Sequence, residues 1–167
     1  NHSQLLIEYL HLIQDKYKHL SARHLNALAD ILKLSEADVY EVATFYTMYN
    51  LKPVGKFHLQ ICTNLPCWLR GSERIKNILR EHLKISIGDT TEDNLFTISE
   101  VECLGACVNA PMMQINDDYY EDLDELSTEK IIKQLLNDEK PEPGSAKKRK
   151  NNAPENGKTT LLEVKNA

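Results

Sequence analysis

The first fifty residues repeat apolar positions at helical spacing. In SQLLIEYLHLIQDKY, Leu5, Tyr9, Leu12 and Ile13 fall on one stripe, with Leu6 and Leu10 widening it. A stop near Lys18 and Ser21 follows, and Ser21 can cap HLNALADIL, in which Leu25, Leu28, Ala29 and Leu32 share a face. Ser35 opens a third segment, LSEADVYEVATFYTMY, with Asp38 where a capping box would carry Glu or Gln. Val39, Val42, Ala43, Phe45 and Tyr46 form its apolar side. Three short segments that must each hide one stripe predict a small helical bundle over residues 1–52.

Pro53 and Gly55 then punctuate the chain, and the apolar period changes from about 3.6 to about 2. KFHLQIC sets Phe57, Leu59 and Ile61 against His58 and Gln60, a strand that delivers Cys62 at its C-terminal end. SERIKNILREHL predicts a helix with Ile75, Ile78, Leu79 and His82 or Leu83 inward. LFTISEVEC predicts a second strand, and MMQINDDYYEDL a hairpin turning at Asn116 to Asp118. STEKIIKQLLND predicts a closing helix capped by Ser127, with Glu129 in its first turn. The order strand, helix, strand, strand, strand, helix is that of one α/β layer over residues 53–140. From Pro141 to Ala167 Pro, Gly, Asn and Lys replace the periodicity, which predicts a basic tail that is disordered or draped over a partner. LLEV is the apolar stretch left in that tail for docking.

Composition narrows the function. Hydrophobic residues make up 41% and charged residues 27%, a globular balance, and no apolar run is long enough to span a bilayer, so no direct membrane insertion is expected. NHSQLLIEYLHL lacks a basic region followed by an apolar stretch and does not read as a secretory signal; the absence of an initiator Met leaves room for a removed targeting segment. Beyond Pro141 there are six Lys/Arg against three Asp/Glu, so a total of −5 leaves the first 140 residues at −8. An acidic body lacks the basic footprint of phosphate recognition; no nucleic-acid partner is expected, and KKRK reads as a solvated basic segment.

The chain has four cysteines, in ICTNLPCWLRG and VECLGACVNAP. Without a secretion signal these point to a reducing compartment and to thiolates held for a metal or for redox chemistry. A thioredoxin-like dithiol would need C-x-x-C, which is absent. A mononuclear zinc site is admitted by the C-x4-C and C-x3-C spacings but poorly matched by them. A [2Fe-2S] cluster needs two thiolates on each iron, and two loops at neighbouring strand ends can supply one pair each: Cys62 with Cys67, and Cys103 with Cys107. Thr63 and Asn64 can turn N–H groups toward sulfur, Gly105 lets its loop pass close, and Pro66 and Pro111 stiffen the entries. Trp68 can shield the site, meet a partner or serve as core; Arg70 and Arg74 can offset its charge or stand in solvent. His58 reads as a solvent-facing strand histidine. Asp117, Asp118, Glu121, Asp122, Asp124 and Glu125 read as a charged hairpin rim without calcium-loop spacing, and Met112 and Met113 as core.

VATFYTMYNLKPVGKFHLQICTNLPCWLRGSE, followed by VECLGACVNAPMMQINDDYYEDL with 35 residues between Cys67 and Cys103, resembles the thioredoxin-like [2Fe-2S] subunits of 24 kDa type in respiratory complex I and their relatives in NAD-linked hydrogenases and formate dehydrogenases. The likeness spans roughly residues 4 to 137. It implies a thioredoxin-like α/β [2Fe-2S] ferredoxin domain after a helical bundle, and one [2Fe-2S] cluster on Cys62, Cys67, Cys103 and Cys107. It further implies a neighbouring flavoprotein that binds FMN and NADH, contact with other peripheral-arm iron–sulfur subunits, and a place on the cytoplasmic side of the bacterial inner membrane or the mitochondrial matrix side. The chain itself carries no Rossmann glycine pattern and no Walker loop, so nucleotide and flavin are expected on the partner and no catalytic site here. The rival from another class is a zinc-stabilised structural module.

Overall fold

Residues 2–157 are described by a computed structural model, in which the chain divides into two units, Asn1–Val54 and Gly55–Ala167. LLEV lies outside the described residues.

In the first unit the caps fall where the sequence places them. A 3₁₀ turn, His2–Leu5, leads into α1 (Leu6–Tyr17). Ser21 accepts from the His24 N–H, the His24 ring accepts from the Ser21 N–H, and α2 (Ala22–Leu32) follows. Ser35 accepts from the Asp38 N–H to start α3 (Glu36–Phe45). One core joins Leu10, Leu25, Leu28, Leu32, Val39 and Tyr49. The segment after α3 is tied to α1 by Gln14, whose side chain donates to Met48 O at 2.8 Å and accepts from Asn50 N at 2.6 Å.

The inward stripe of α1 is not the expected one. Leu6 and Leu10 are buried and Ile13 packs beside them, whereas Leu5, Tyr9 and Leu12 are exposed, Leu12 by 62%. Both stripes are apolar at helical spacing, so the neighbouring helices decide which turns inward. Phe45 and Tyr46 are also exposed, and Tyr49 takes the buried aromatic place.

The second unit is built on a mixed sheet. Its elements are β1 (Phe57–Cys62), a short α4 (Leu65–Leu69), α5 (Ser72–Leu83), β2 (Phe96–Val101), β3 (Met113–Ile115), β4 (Asp118–Glu121), α6 (Glu125–Leu136) and β5 (Gly144–Ser145). The strand order is β2-β1-β3-β4-β5. β1 runs parallel to β2 with Leu59 opposite Ile98, β3 is antiparallel to both β1 and β4, and β5 is parallel to β4. Alternate residues of β1, β2 and β3 (Leu59 and Ile61, Phe96 and Ile98, Met113 and Ile115) share a core with Ile75 and Leu79 of α5 and Ile132 and Leu135 of α6. Each fully buried aliphatic side chain contributes about 1.5–3 kcal/mol.

At the entry to β1 a glycine is required. A Cβ on Gly55 would lie 2.8 Å from the Phe96 backbone, and the Gly55 N–H donates to Thr97 Oγ1 at 2.7 Å. Three readings are corrected here. Helix α6 is capped by Asp124, with Ser127 returning the bond from the third position. Asp122, expected on a solvated rim, is 6% exposed. Residues 144–145 of the tail form a strand, because β4 still presents an unpaired edge to them. Met112 and Met113 are buried, as expected.

Candidate metal centre

Parallel pairing of β1 and β2 aligns Cys62 with Val101, so both strands end at the same edge of the sheet. Cys62 closes β1 and Cys103 follows β2 by two residues; topology alone brings the first member of each cysteine pair to that edge.

The chain leaving Cys62 turns at once. Thr63 N donates to Val101 O and Cys62 N to Met112 O, both at 3.3 Å. Asn64 caps α4 through its Oδ1, which accepts from Leu65 N at 3.0 Å, and its Nδ2 donates to Glu102 Oε2 at 2.8 Å. One side chain thus links the loop of Cys62 and Cys67 to the residue before Cys103. Helix α4 returns Cys67 to the interior, where Cys62 and Cys67 pack with Ala110 and Met112. Leu104, Ala106 and Tyr119 lie against that cluster, and Tyr119 Oη donates to Leu104 O at 2.9 Å.

The second pair is exposed. Cys103 Sγ and Cys107 Sγ stand 3.3 Å apart, and Gly105 N donates to Cys103 Sγ at 3.4 Å. Gly105 has φ +85°, a left-handed conformation that a side chain would strain, so torsion is what asks for glycine. Cys107 opens a 3₁₀ turn, Cys107–Asn109. An N–H does reach sulfur, but from Gly105 rather than from Thr63 or Asn64.

The thiols differ electrostatically. Burial, then a hydrogen bond with Cys62, pushes Cys67 up to about 12. The Gly105 N–H, then a bond with Cys107, holds Cys103 below the usual thiol value. The same bond to Cys103, followed by desolvation, raises Cys107. Cys67 and Cys107 both feel the charge of Cys62, and Cys67 that of Cys107, so the two pairs lie within electrostatic reach of each other. Among the described residues no three His, Cys, Asp or Glu side chains gather around one point as single-ion ligands do. The four sulfurs stand as two pairs.

Of the other residues marked in the sequence, Trp68 is 55% exposed and is not core. Leu65 and Leu69, on the same short helix, and Val108, next to Cys107, are exposed as well. Arg70 and Arg74 are exposed. His58 is half-buried and bonds Ser99 Oγ through Nε2 at 2.8 Å, so it does not face solvent as expected. Sequence spacing gave no sign of the Asn64–Glu102 and Tyr119–Leu104 bonds, since each crosses between elements far apart in the chain. Among the described residues no helix is long and apolar enough to cross a membrane.

Comparison with known proteins gives the family. Residues 1–136 match the family model described as thioredoxin-like [2Fe-2S] ferredoxin. The chain is 58% identical over 120 residues to a subunit of the NADH-quinone oxidoreductase of Rickettsia typhi, covering 72% of this chain and 69% of that protein. It is 49% identical over 144 residues to the mitochondrial NADH dehydrogenase [ubiquinone] flavoprotein 2 of Dictyostelium discoideum, covering 86% of this chain and 58% of that one. The crystal structure of an air-oxidized NAD+-reducing [NiFe]-hydrogenase superposes with a TM-score of 0.71 at 21% identity, over 80% of this chain and 23% of the other, a likeness of fold. With its match running from the first helix to the end of α6, the chain belongs to the thioredoxin-like [2Fe-2S] ferredoxin family.

Proposed function

We propose that Cys62, Cys67, Cys103 and Cys107 hold one [2Fe-2S] cluster, and that the chain is a one-electron carrier subunit of an NADH:quinone oxidoreductase, set beside the flavoprotein that binds FMN and NADH. The observation that carries this reading is the convergence of two cysteine pairs at the common end of two parallel strands. Four thiols in two pairs fit a cluster that takes two thiolates on each iron, and the Rickettsia relatives, which are subunits of NADH-quinone oxidoreductases, give the setting.

When bound, such a cluster supplies a reversible one-electron step. The chain's own residues hold and shade it. The backbone N–H of Gly105 points at Cys103 Sγ and favours its negative charge. Cys62 and Cys67 are buried against Ala110 and Met112, which keeps water from one side. Cys103 and Cys107 are exposed, so a cluster held by the four thiols would have its open side at this pair. The exposed apolar side chains of Leu65, Trp68 and Leu69 beside Cys67 in the chain, and of Val108 beside Cys107, suit a protein neighbour. The assembly sits on the cytoplasmic side of a bacterial inner membrane or the matrix side of a mitochondrial one, with further iron–sulfur subunits as neighbours.

The test is low-temperature EPR of anaerobically purified, dithionite-reduced protein, with iron and sulfide assayed on the same sample. A rhombic spin-half signal with about two irons and two sulfides per chain is expected. One tightly bound zinc without sulfide would replace the cluster by a structural module. Co-purification with hydrogenase or formate dehydrogenase subunits would move the chain to one of those complexes.

A further inference from the structure

After α6 the chain turns back and lays Gly144–Ser145 beside Tyr120 and Glu121, with Ala146 N donating to Glu121 O at 2.9 Å. The return carries the basic run 147–150 across the turn that follows Cys107. Lys147, Lys148 and Lys150 are exposed. Arg149 is not: its side chain is 10% exposed and that of its partner Asp122 is 5% exposed.

Every arm of the guanidinium is used. Nε donates to Asp122 Oδ2 at 2.9 Å and Nη1 to Ala153 O at 3.1 Å. Nη2 donates to Val108 O at 2.8 Å and to Asn109 Oδ1. The Asn109 side chain then donates to Asn151 O at 2.9 Å and to Glu121 Oε2. Asp122 N donates to Asn109 O at 2.7 Å, and Ser145 Oγ to Asp122 Oδ2 at 2.6 Å.

These bonds land on the two residues after Cys107. The loop from Cys103 to Asn109 is gripped at Leu104 by Tyr119 and at Val108 and Asn109 by Arg149. Val108 is 65% exposed, so apolar packing does little to fix it. A solvated basic tail has no reason to bury a guanidinium, whereas a planar fork that must hold a carboxylate, a carbonyl and an amide together does. The matched family region ends at residue 136, so Arg149 lies beyond it while Val108, Asn109 and Asp122, which it holds, lie within it.

We infer that Arg149, locked to Asp122, is a positioning residue for Cys107, and that residues 144–153 are a strap completing the metal centre. This rests on the cluster reading above.

The experiment compares wild type, Arg149→Met, Arg149→Lys and the double variant Arg149→Met/Asp122→Asn in the full chain. Removing both charges avoids stranding a buried carboxylate, so the double variant keeps the fold even if Arg149→Met does not. Two readouts are taken: the rate at which loaded protein releases iron to a chelator, and amide exchange of the thiol form at Asn109, Ala110 and Asp122. In the double variant iron release should rise about tenfold or more, the usual effect of losing a ligand's supporting partner. Exchange should quicken at those three amides and stay unchanged at Leu59 and Ile98. Arg149→Lys should restore melting temperature more than iron retention, since an ammonium pairs with Asp122 but lacks the fork. Unchanged release with local exchange at wild-type rates overturns the inference, as does exchange that quickens everywhere alike. If wild type holds no iron, the cluster reading fails, and the exchange data still decide whether Arg149 fixes the turn.

Discussion

Cys67 and Cys103 sit in opposite surroundings, one sealed among apolar atoms and the other open and facing an N–H. In the proposed cluster both would be thiolates, so loading would release protons and the exposed Cys103 would be the readier first ligand. Cys103→Ser should therefore abolish or severely perturb the cluster, read as iron and sulfide per chain and as the reduced EPR spectrum; an unchanged spectrum would strike Cys103 from the ligand set. His58 gives a separate handle. Burial holds its pKa below the usual value, so the native state favours the neutral ring. Above about 6.5 both native and unfolded rings are neutral and nothing is lost; as pH falls past that value toward the native one, the unfolded chain takes a proton first and stability drops. Between about pH 7.5 and 5.5 the urea midpoint of wild type should fall relative to that of His58→Gln, and parallel curves would clear His58. The alternation in KFHLQIC puts His58 opposite Leu59 correctly, but it is silent on Ser99, which is brought across the sheet by the pairing of β1 with β2.

Between neighbouring stripes on α1 the prediction is a contrast. Leu10→Ala should cost about 2–5 kcal/mol and Leu12→Ala no more than about 0.5 kcal/mol in urea unfolding, because only Leu10 lies in the core. Gly55→Ala should cost about 1–3 kcal/mol by pressing a methyl group onto the Phe96 backbone, and a loss below that range would mean the strand gives way there. Helices α2, α3 and α5, strands β1 and β2 and the hairpin were legible because period and turn chemistry agree in each. What the sequence left open was settled by partners. The side of α1 depends on α2 and α3, and the cap of α6 on whether the hairpin ends early enough to free Asp124. Strand β5 depends on an edge of β4 that no local pattern in GSAKKRK can foretell.

Each of the two units carries a core of its own, one spanning Leu6 to Tyr49 and the other Leu59 to Leu135. Residues 55–167 produced alone should thus unfold cooperatively in urea and load iron and sulfide like the full chain; a non-cooperative transition would show that the bundle is needed for the second core. The four cysteines were the most legible part of the site, since they are the only ones and come in two pairs. The bonds that aim them were not, because Asn64, the Met112 carbonyl and Tyr119 act across the fold. The pairing of β1 with β2 has a last consequence. Leu59 faces Ile98 in the same ladder that sets Cys62 against Val101. A slip by one residue would turn every core side chain of a strand outward. The packing of the interior is therefore the ruler against which the sulfurs are measured, and a misthreaded chain betrays itself by exposed oil.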